Sequence, residues 1–358
     1  MCGVDAVKLD TVKIMTGRPY DVVIGNGILS HLGELLPRQR QCVAALVADD
    51  IVDRLYGNIV TAALQEKGYT VYRFVFPHGE ENKNMTQLAN LLSFLAKSRL
   101  SRSDIIVALG GGVTGDLAGF AAAIYLRGID YIQIPTTFLA AIDSSVGGKT
   151  AVDLPEGKNQ VGAFWQPLAV VCDTATFATL PKDVFIDGTA EAIKYGVLAD
   201  QQLFALLAGA EFGDQLKMII RRCVEIKGDF VHADERDTGT RQLLNLGHTV
   251  GHAIEQCSGY AIPHGHAVAT GMAVIAKAAA AAGICPEQVA QSIEQALLNN
   301  NLPVHCAYPL EQLVEVIATD KKRRGDTISL VVPEQLGQCR LHDLNLADLA
   351  SFIAPGLK

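Results

Sequence analysis

Four of the nine histidines lie between positions 248 and 266, in His248-Thr-Val-Gly-His252 and His264-Gly-His266. A spacing of four places His248 and His252 on one face of a helix. His264 and His266 follow a Gly/Pro-containing turn. Upstream, Glu191 and Lys194 sit three apart in Glu191-Ala-Ile-Lys-Tyr195 and so also share a helical face. Two histidines and a carboxylate, with one position left open for water or substrate, are a common catalytic zinc set. Spacing nominates His248 and His252 as ligands without settling which pair binds. The plain alternative is a group of helix-end and packing histidines. No H-E-x-x-H occurs, so a metalloprotease has no support.

A second chemical feature is Gly110-Gly-Gly-Val-Thr-Gly115, a G-x-G-x-x-G run after an apolar stretch and before a helix expected to begin near Asp116. Glycines let the backbone approach a pyrophosphate, and the helix N-terminus favours its charge. The usual dinucleotide fingerprint then places an acid about 20 residues on, at the end of the next strand. Here that strand, Tyr131–Ile134, runs into Pro135-Thr136-Thr137. An acid stands instead at the end of an earlier strand, at Asp49. A bound dinucleotide therefore implies an uncommon strand order.

Asp143-Ser-Ser-Val-Gly-Gly-Lys149-Thr150 resembles a phosphate loop but carries Asp143 where G-x-x-x-x-G-K-[ST] needs glycine. A nucleoside triphosphatase is disfavoured. The stretch reads as a flexible polar loop, followed by Lys158-Asn159, whose lysines could hold an anion. Lys227, Arg241 and the run Lys321-Lys322-Arg323-Arg324 add cations near the histidine motif and suggest a doubly anionic substrate. The last run by itself reads as a solvated charged face.

The elements that must carry these groups fall into two textures. Apolar runs at Val43–Ala48, Val71–Phe76, Ile105–Leu109 and Tyr131–Ile134 alternate with helical stretches at Ile51–Lys67, Asn84–Lys97 and Asp116–Leu126. That alternation predicts an N-terminal α/β dinucleotide-binding domain with a mostly parallel sheet, residues 1–180. From about Pro181 the chain turns Ala- and Leu-rich with helical periodicity, at Thr189–Ala208, Gln215–Val231, Thr249–Cys257 and Ala267–Ala282. An all-helical C-terminal domain, residues 181–358, is expected, with one hairpin around Pro333 and Gly337. The seam between two such domains is a preferred place for a ligand cleft.

Composition narrows the function class. The 358 residues are 49% hydrophobic and 19% charged, which excludes a disordered chain. Thirty Lys plus Arg against 38 Asp plus Glu give a net charge of −8 and argue against nucleic-acid or anionic-membrane binding. The eight cysteines form no C-x-x-C pair and read as scattered buried thiols of a reducing compartment. The opening Met1–Ile14 has no apolar core of a secretory signal. The nearly uncharged runs 105–125 and 267–284 read as strand–turn–helix and as a buried helix, not as membrane spans. A cytoplasmic protein is expected.

Taken together, the motifs resemble the 3-dehydroquinate synthase family. They are Gly110-Gly-Gly-Val-Thr-Gly-Asp-Leu-Ala-Gly-Phe120, Pro135-Thr-Thr137, Asp143 to Thr150, Gly157-Lys-Asn159, Glu191 to Tyr195, Ala233-Asp-Glu-Arg236 and Leu243 to Glu255. They stand in the family's order and spacing from about Asp49 to Lys322, most of the chain. The resemblance implies a cytoplasmic homodimer of the shikimate pathway that uses NAD and one divalent metal, zinc or cobalt. It would convert 3-deoxy-D-arabino-heptulosonate 7-phosphate into 3-dehydroquinate and phosphate. The implied course is oxidation, phosphate elimination, reduction, ring opening and aldol closure.

Carried over by motif, the metal ligands become Glu191, His248 and His264, and His252 moves to substrate phosphate and proton transfer. The phosphate also meets Lys149, Asn245, one of Lys321 and Lys322, and Arg127 from the partner subunit. Lys227 and Arg241 meet the substrate carboxylate; Asp143, Asn159 and Lys194 meet its hydroxyls. NAD lies against Asp49, the segment Gly79–Lys83 with Glu80, Glu81 and Lys83, then Gly111, Gly112, Val113, Gly115, Asp116, Thr136 and Thr137, and Thr176–Thr179 with Phe177 and Thr179. Lys149 and Lys158 complete that set. Many relatives read His-Gly-Glu where this chain has His264-Gly265-His266, which leaves His266 as a support for the ligands or a competing donor. Two rival activities remain. One is a sister cyclase acting on sedoheptulose 7-phosphate or glucose 6-phosphate, whose substrates lack the carboxylate that Lys227 and Arg241 would meet. The other is a metal-dependent alcohol dehydrogenase, which gives no reason for Asp143–Thr150 or Lys158-Asn159.

Overall fold

The computed structural model describes residues 9–36, 42–210, 212–318 and 326–357. It separates into two compact units, one of residues 1–181 with 227–236 and one of residues 182–226 with 237–358. Sequence texture placed everything after 180 in one helical domain. The segment Lys227–Arg236, at the end of the helix Leu216–Ala233 and just beyond it, instead groups with the first unit.

The first unit is built on a seven-stranded sheet. Its strands are β1 (Asp10–Ile14), β2 (Tyr20–Gly25), β3 (Val43–Asp49), β4 (Thr70–Phe76), β5 (Ile105–Gly110), β6 (Asp130–Pro135) and, after a separate hairpin of β7 (Lys149–Leu154) and β8 (Gly157–Phe164), β9 (Ala169–Asp173). The order across the sheet is β1-β2-β9-β6-β5-β3-β4. All neighbours are parallel except β1 against β2. Alternate residues of one strand enter two cores. Ala44, Leu46 and Ala48 pack with Val60 and Leu64 of the helix Asn58–Glu66, while Ala45 and Val47 pack with Leu91 and Leu117 of the helices Met85–Lys97 and Gly112–Ile124. A parallel sheet covered on both faces needs apolar residues at every position, so these strands read as unbroken hydrophobic runs.

Chain reversal occurs at the centre of this order. From β3 the chain crosses to β4 on one side; from β5 it crosses to β6 on the other. The carboxyl ends of β3 and β5 therefore flank a switch point, where open α/β sheets bind ligands. The order differs from the common dinucleotide-binding one, and β3, which ends in Asp49, lies next to the glycine-loop strand β5.

Two local expectations need correction. The helix after β5 begins at Gly112, so Asp116 lies inside its second turn and not at its start. The stretch 143–150 is no flexible loop. Ala140–Ser144 forms a π-turn, and Lys149–Leu154 pairs antiparallel with Gly157–Phe164, Lys149 opposite Phe164.

The second unit is helical, with the hairpin β10 (Thr327–Gln335) and β11 (Gln338–Asn345) where it was expected. Its central element is the helix His264–Ala281, buried from Gly265 and Ala267 to Ala279 except at Lys277. A helix apolar around its whole circumference belongs inside a core. Lys277 keeps its charge by pairing with Glu294 at 2.6 Å. The expected single helix 189–208 divides at Asp200. Its carboxylate accepts from the N–H groups of Gln202 and Leu203, both at 3.0 Å, and so caps a new helix Gln201–Ala208. No described helix is long and apolar enough to cross a membrane. Lys321 and Lys322 lie outside the described residues.

Candidate active site

In the first unit, most of the residues expected around a dinucleotide follow the carboxyl ends of parallel strands, while Lys149 and Lys158 lie on the antiparallel hairpin β7–β8. Asp49 ends β3; Glu80, Glu81 and Lys83 follow β4; Gly111 to Asp116 follow β5; Thr136 and Thr137 follow β6; Thr176, Phe177 and Thr179 follow β9. Gly111 is the N-cap of the helix Gly112–Ile124 and offers no side chain to its first N–H groups. These groups face outward with the positive end of the helix dipole, the arrangement that accepts an anion. A side chain on this turn would meet a wall: a Cβ on Gly111 would lie 3.0 Å from Thr137 Cγ2, and one on Gly115 2.6 Å from Gln133 Oε1. Asp49 is engaged in capping, accepting from Ile51 at 3.0 Å and Val52 at 2.9 Å.

Beside this turn lies a charge cluster that the motif reading only half anticipated. Lys83, 4% exposed, pairs with Glu80 at 2.7 Å, Asp116 at 3.4 Å and Asp153 at 3.8 Å. Burial works against the ammonium charge, but Asp116, Glu80 and Asp153 outweigh it and hold the Lys83 pKa above its ordinary value. Burial pushes the Asp116 carboxyl up to about 6, and the attraction of Lys83 offsets only part of that. Asp153 comes from β7; its carboxylate also accepts from the N–H of Asn159 at 2.7 Å, and its own N–H donates to the Lys83 carbonyl at 2.7 Å. Asn159 holds a left-handed φ of 54°. The hairpin β7–β8 thus supplies Lys149, which is exposed, together with half-buried Lys158 and exposed Asn159. Asp143 pairs with Lys227 at 2.8 Å, and Lys227 also donates to the Asp143 carbonyl at 2.7 Å. Arg127 is exposed at a left-handed turn, φ 66°.

The second unit holds the histidine cluster. Glu191, fully buried on the helix Lys182–Ala199, presents Oε1 to Nε2 of His248 at 3.4 Å and to Nε2 of His264 at 3.6 Å. Two donors about 2.05 Å from a tetrahedral zinc stand roughly 3.3 Å apart, so these three atoms surround a space of cation size. Both rings are oriented from behind. His248 Nδ1 lies 3.1 Å from the Leu246 carbonyl, and His264 Nδ1 lies 3.2 Å from Glu255 Oε2. A ring that donates through Nδ1 presents the lone pair of Nε2 to the space. Glu191 Oε1 is buried and makes no hydrogen bond among the described residues, while Lys194 pairs with the other oxygen. A buried carboxylate oxygen facing two imidazole nitrogens fits a divalent cation. Burial works to lower the His264 pKa, but Glu191 and Glu255 outweigh it and raise it to about 10.

His252 was nominated by spacing. It is exposed, with its ring centroid 5.4 Å from His248 and 5.9 Å from His264. A second convergent group, His252, Glu255 and His264, also exists. It would enlist the Glu255 carboxylate that orients His264, so the Glu191 group is the better cation site. Spacing could have found Glu255, since it falls three residues after His252 on the same helical face.

Glycines set the distances. A Cβ on Gly271 would stand 2.0 Å from the Gly247 carbonyl oxygen and 2.9 Å from Gly251 N; one on Gly265 would stand 1.9 Å from the Asp187 carbonyl. The segments bearing His248, His264 and Glu191 therefore touch backbone to backbone. Gly247, with φ 77°, also makes the turn from the 3-10 segment Thr240–Asn245 into the helix His248–Cys257. That 3-10 segment carries Arg241, 1% exposed, and half-buried Asn245.

Residues 73–187 match the family described as 3-dehydroquinate synthase N-terminal, and residues 188–323 its C-terminal counterpart. The 3-dehydroquinate synthase of Streptococcus pneumoniae (strain Hungary19A-6) is 42% identical over 344 residues, 94% of this chain and 97% of that protein. The chain belongs to the 3-dehydroquinate synthase family. Solved structures agree on the fold. A 2-deoxy-scyllo-inosose synthase complexed with carbaglucose-6-phosphate, NAD+ and Co2+ superposes with TM-score 0.84 at 25% identity, covering 96% of this chain and 99% of that one. The 2-epi-5-epi-valiolone synthase ValA from Streptomyces hygroscopicus subsp. jinggangensis 5008, with NAD+ and Zn2+ bound, gives 0.86 at 24% identity, covering 98% and 99%.

Proposed function

We propose that this protein is a 3-dehydroquinate synthase. It takes 3-deoxy-D-arabino-heptulosonate 7-phosphate to 3-dehydroquinate and inorganic phosphate with NAD and one zinc or cobalt ion. Family membership over nearly the full chain supports the reaction class. The observation that carries the chemistry is the buried Glu191 Oε1 facing Nε2 of both His248 and His264.

When bound, the nicotinamide supplies reversible hydride transfer and the metal supplies Lewis acidity toward a sugar alcohol. The chain's own residues hold and orient. Glu191, His248 and His264 are the proposed ligands, and the open turn at Gly111–Gly115 receives the pyrophosphate. The ammonium of Lys194, beside the Glu191 carboxylate, is placed to hydrogen-bond a hydroxyl near the cation, as Asp143 and Asn159 do elsewhere on the sugar. Lys227 and Arg241 receive the carboxylate. Both are almost fully buried, and a second anion for such a cation offsets its loss of hydration. Lys149, Asn245, His252 and one of Lys321 and Lys322 receive the phosphate, joined by Arg127 of a second subunit in a homodimer. Two clamped anionic ends position the ring, which accounts for an abundance of cations and no activated nucleophile. The eight scattered cysteines, none in a C-x-x-C pair, support a cytoplasmic location.

The test mixes purified protein, the seven-carbon acid phosphate, catalytic NAD and zinc or cobalt, and follows phosphate and NADH together. Phosphate released in excess of NAD, with no NADH accumulating, is expected. NADH accumulation without phosphate would instead mark a dehydrogenase. Turnover of sedoheptulose 7-phosphate or glucose 6-phosphate alone would mark a sister cyclase.

A further inference from the structure

The helix His264–Ala281 begins without a cap of its own. Pro263 occupies its N-cap and contributes no side-chain hydrogen bond. His264 is the first residue of that helix, so its backbone N–H has no partner one turn back, and its placement depends on what secures the first turn. The anchor comes from another helix. Asp187 Oδ1 accepts the backbone N–H of His266 at 2.9 Å and faces the ring Nδ1 of His266, also at 2.9 Å. The carboxylate and the ring are 15% and 23% exposed. The carboxylate stands at the positive end of the helix, where its charge is favoured. Asp187 also lies one turn before Glu191 on the helix Lys182–Ala199, so the two share a face. The backbone contact at Gly265 brings these helices together at this point, leaving no room for a Cβ against the Asp187 carbonyl.

We infer that Asp187 and His266 are a positioning pair that fixes His264 against Glu191, and so sets the affinity of the cation site. The inference rests on Glu191, His248 and His264 being the metal ligands. Asp187 does for the first turn what Glu255 does for the ring: one fixes where the His264 backbone starts, the other how its imidazole is turned. The pair also explains why this chain carries a histidine where the family motif often has Glu. A glutamate at 266 would set a second carboxylate against Asp187, whereas an imidazole donates to it. The two positions are therefore coupled.

The test titrates the full-length, metal-free protein with Zn2+ against a chromophoric chelator and records the visible absorption of the Co2+-loaded form. The parent is expected to bind one ion per chain. Asp187→Ala is expected to bind Zn2+ roughly 10–100-fold more weakly and to shift the Co2+ bands, the cost typical of losing a group behind a ligand. Asp187→Asn keeps an acceptor and is expected to stay close to the parent, which separates positioning from general damage to the fold. His266→Glu is expected to weaken binding as Asp187→Ala does, and Asp187→Asn combined with His266→Glu to recover most of the loss. Parent-like Zn2+ affinity in Asp187→Ala would overturn the proposal. So would equal losses in the Ala and Asn variants, or a double variant no better than His266→Glu alone. A different failure, full Zn2+ binding in His248→Ala, would sink the ligand assignment and the pair's role with it.

Discussion

Gly271→Ala tests the idea that backbone contact sets the cation site. The added Cβ would lie 2.0 Å from the Gly247 carbonyl oxygen and 2.9 Å from Gly251 N. Carbon and carbonyl oxygen approach to about 3.3 Å at closest in ordinary packing, so the two segments must part by about 1 Å. Both obstacles are backbone, and neither can rotate away. Overpacking of this kind costs roughly 1–3 kcal/mol of stability. The larger effect falls on the site. Gly271 shares a helix with His264, and Gly247 and Gly251 flank His248, so the same displacement separates the two rings. Metal–ligand distances tolerate about 0.2 Å. We therefore expect Zn2+ affinity to fall by about 100-fold or more, with the helical content of the metal-free protein retained. The assay is chelator competition with circular dichroism on the same samples. Gly209→Ala is the control, since its Cβ meets only the Leu206 carbonyl at 3.4 Å and its φ is −76°. Parent-like Zn2+ affinity in Gly271→Ala would refute the reasoning, because the site would then tolerate a displacement larger than coordination allows.

Other expectations are more direct. His248→Ala should lose metal and activity together, and metal analysis after gel filtration showing full occupancy would remove His248 from the ligand set. Asp116 has a folded pKa raised to about 6 from 3.8. For a group raised in the fold, the stabilising contribution is complete below the unfolded pKa and is lost as pH climbs through the folded one. The thermal midpoint of the parent should thus fall relative to Asp116→Asn between about pH 4 and 6, and parallel midpoints across that window would contradict the assigned burial. Arg127→Ala should lower activity and regain it on mixing with Lys149→Ala subunits. Heterodimers no more active than the separate variants would argue against a site shared between subunits.

Much of the first unit was legible because its strands are buried on both faces. Val43–Asp49 and Ile105–Gly110 carry their signal in local composition, and so does the glycine turn between β5 and its helix. The helix His264–Ala281 was legible for the same reason, an apolar circumference. Strands β1 and β2 and the hairpin β7–β8 were not; β9 was missed although Ala169–Cys172 is an equally apolar, buried run. Residues 157–164 hold glycine, lysine, asparagine and glutamine, and become a strand only because Lys149–Leu154 lies alongside. Pairing between distant segments leaves little trace in either one.

The site divides along the same line. Residue types and spacing by themselves indicated a histidine cluster, a glycine turn suited to a phosphate and a group of cations in one acidic chain, because each is a local pattern; the burial of Lys227 and Arg241 came with the fold. Motif order added the family and the proposed ligand set. Only the tertiary structure decided that Glu191 Oε1 faces two Nε2 atoms, that Glu255 and Leu246 turn the rings, and that Asp187 secures the turn on which His264 stands. The Glu191 and Asp187 contacts join segments far apart in the chain. Their distances are set where glycine lets two backbones touch, and the space a cation needs is a property of that convergence, absent from any one segment.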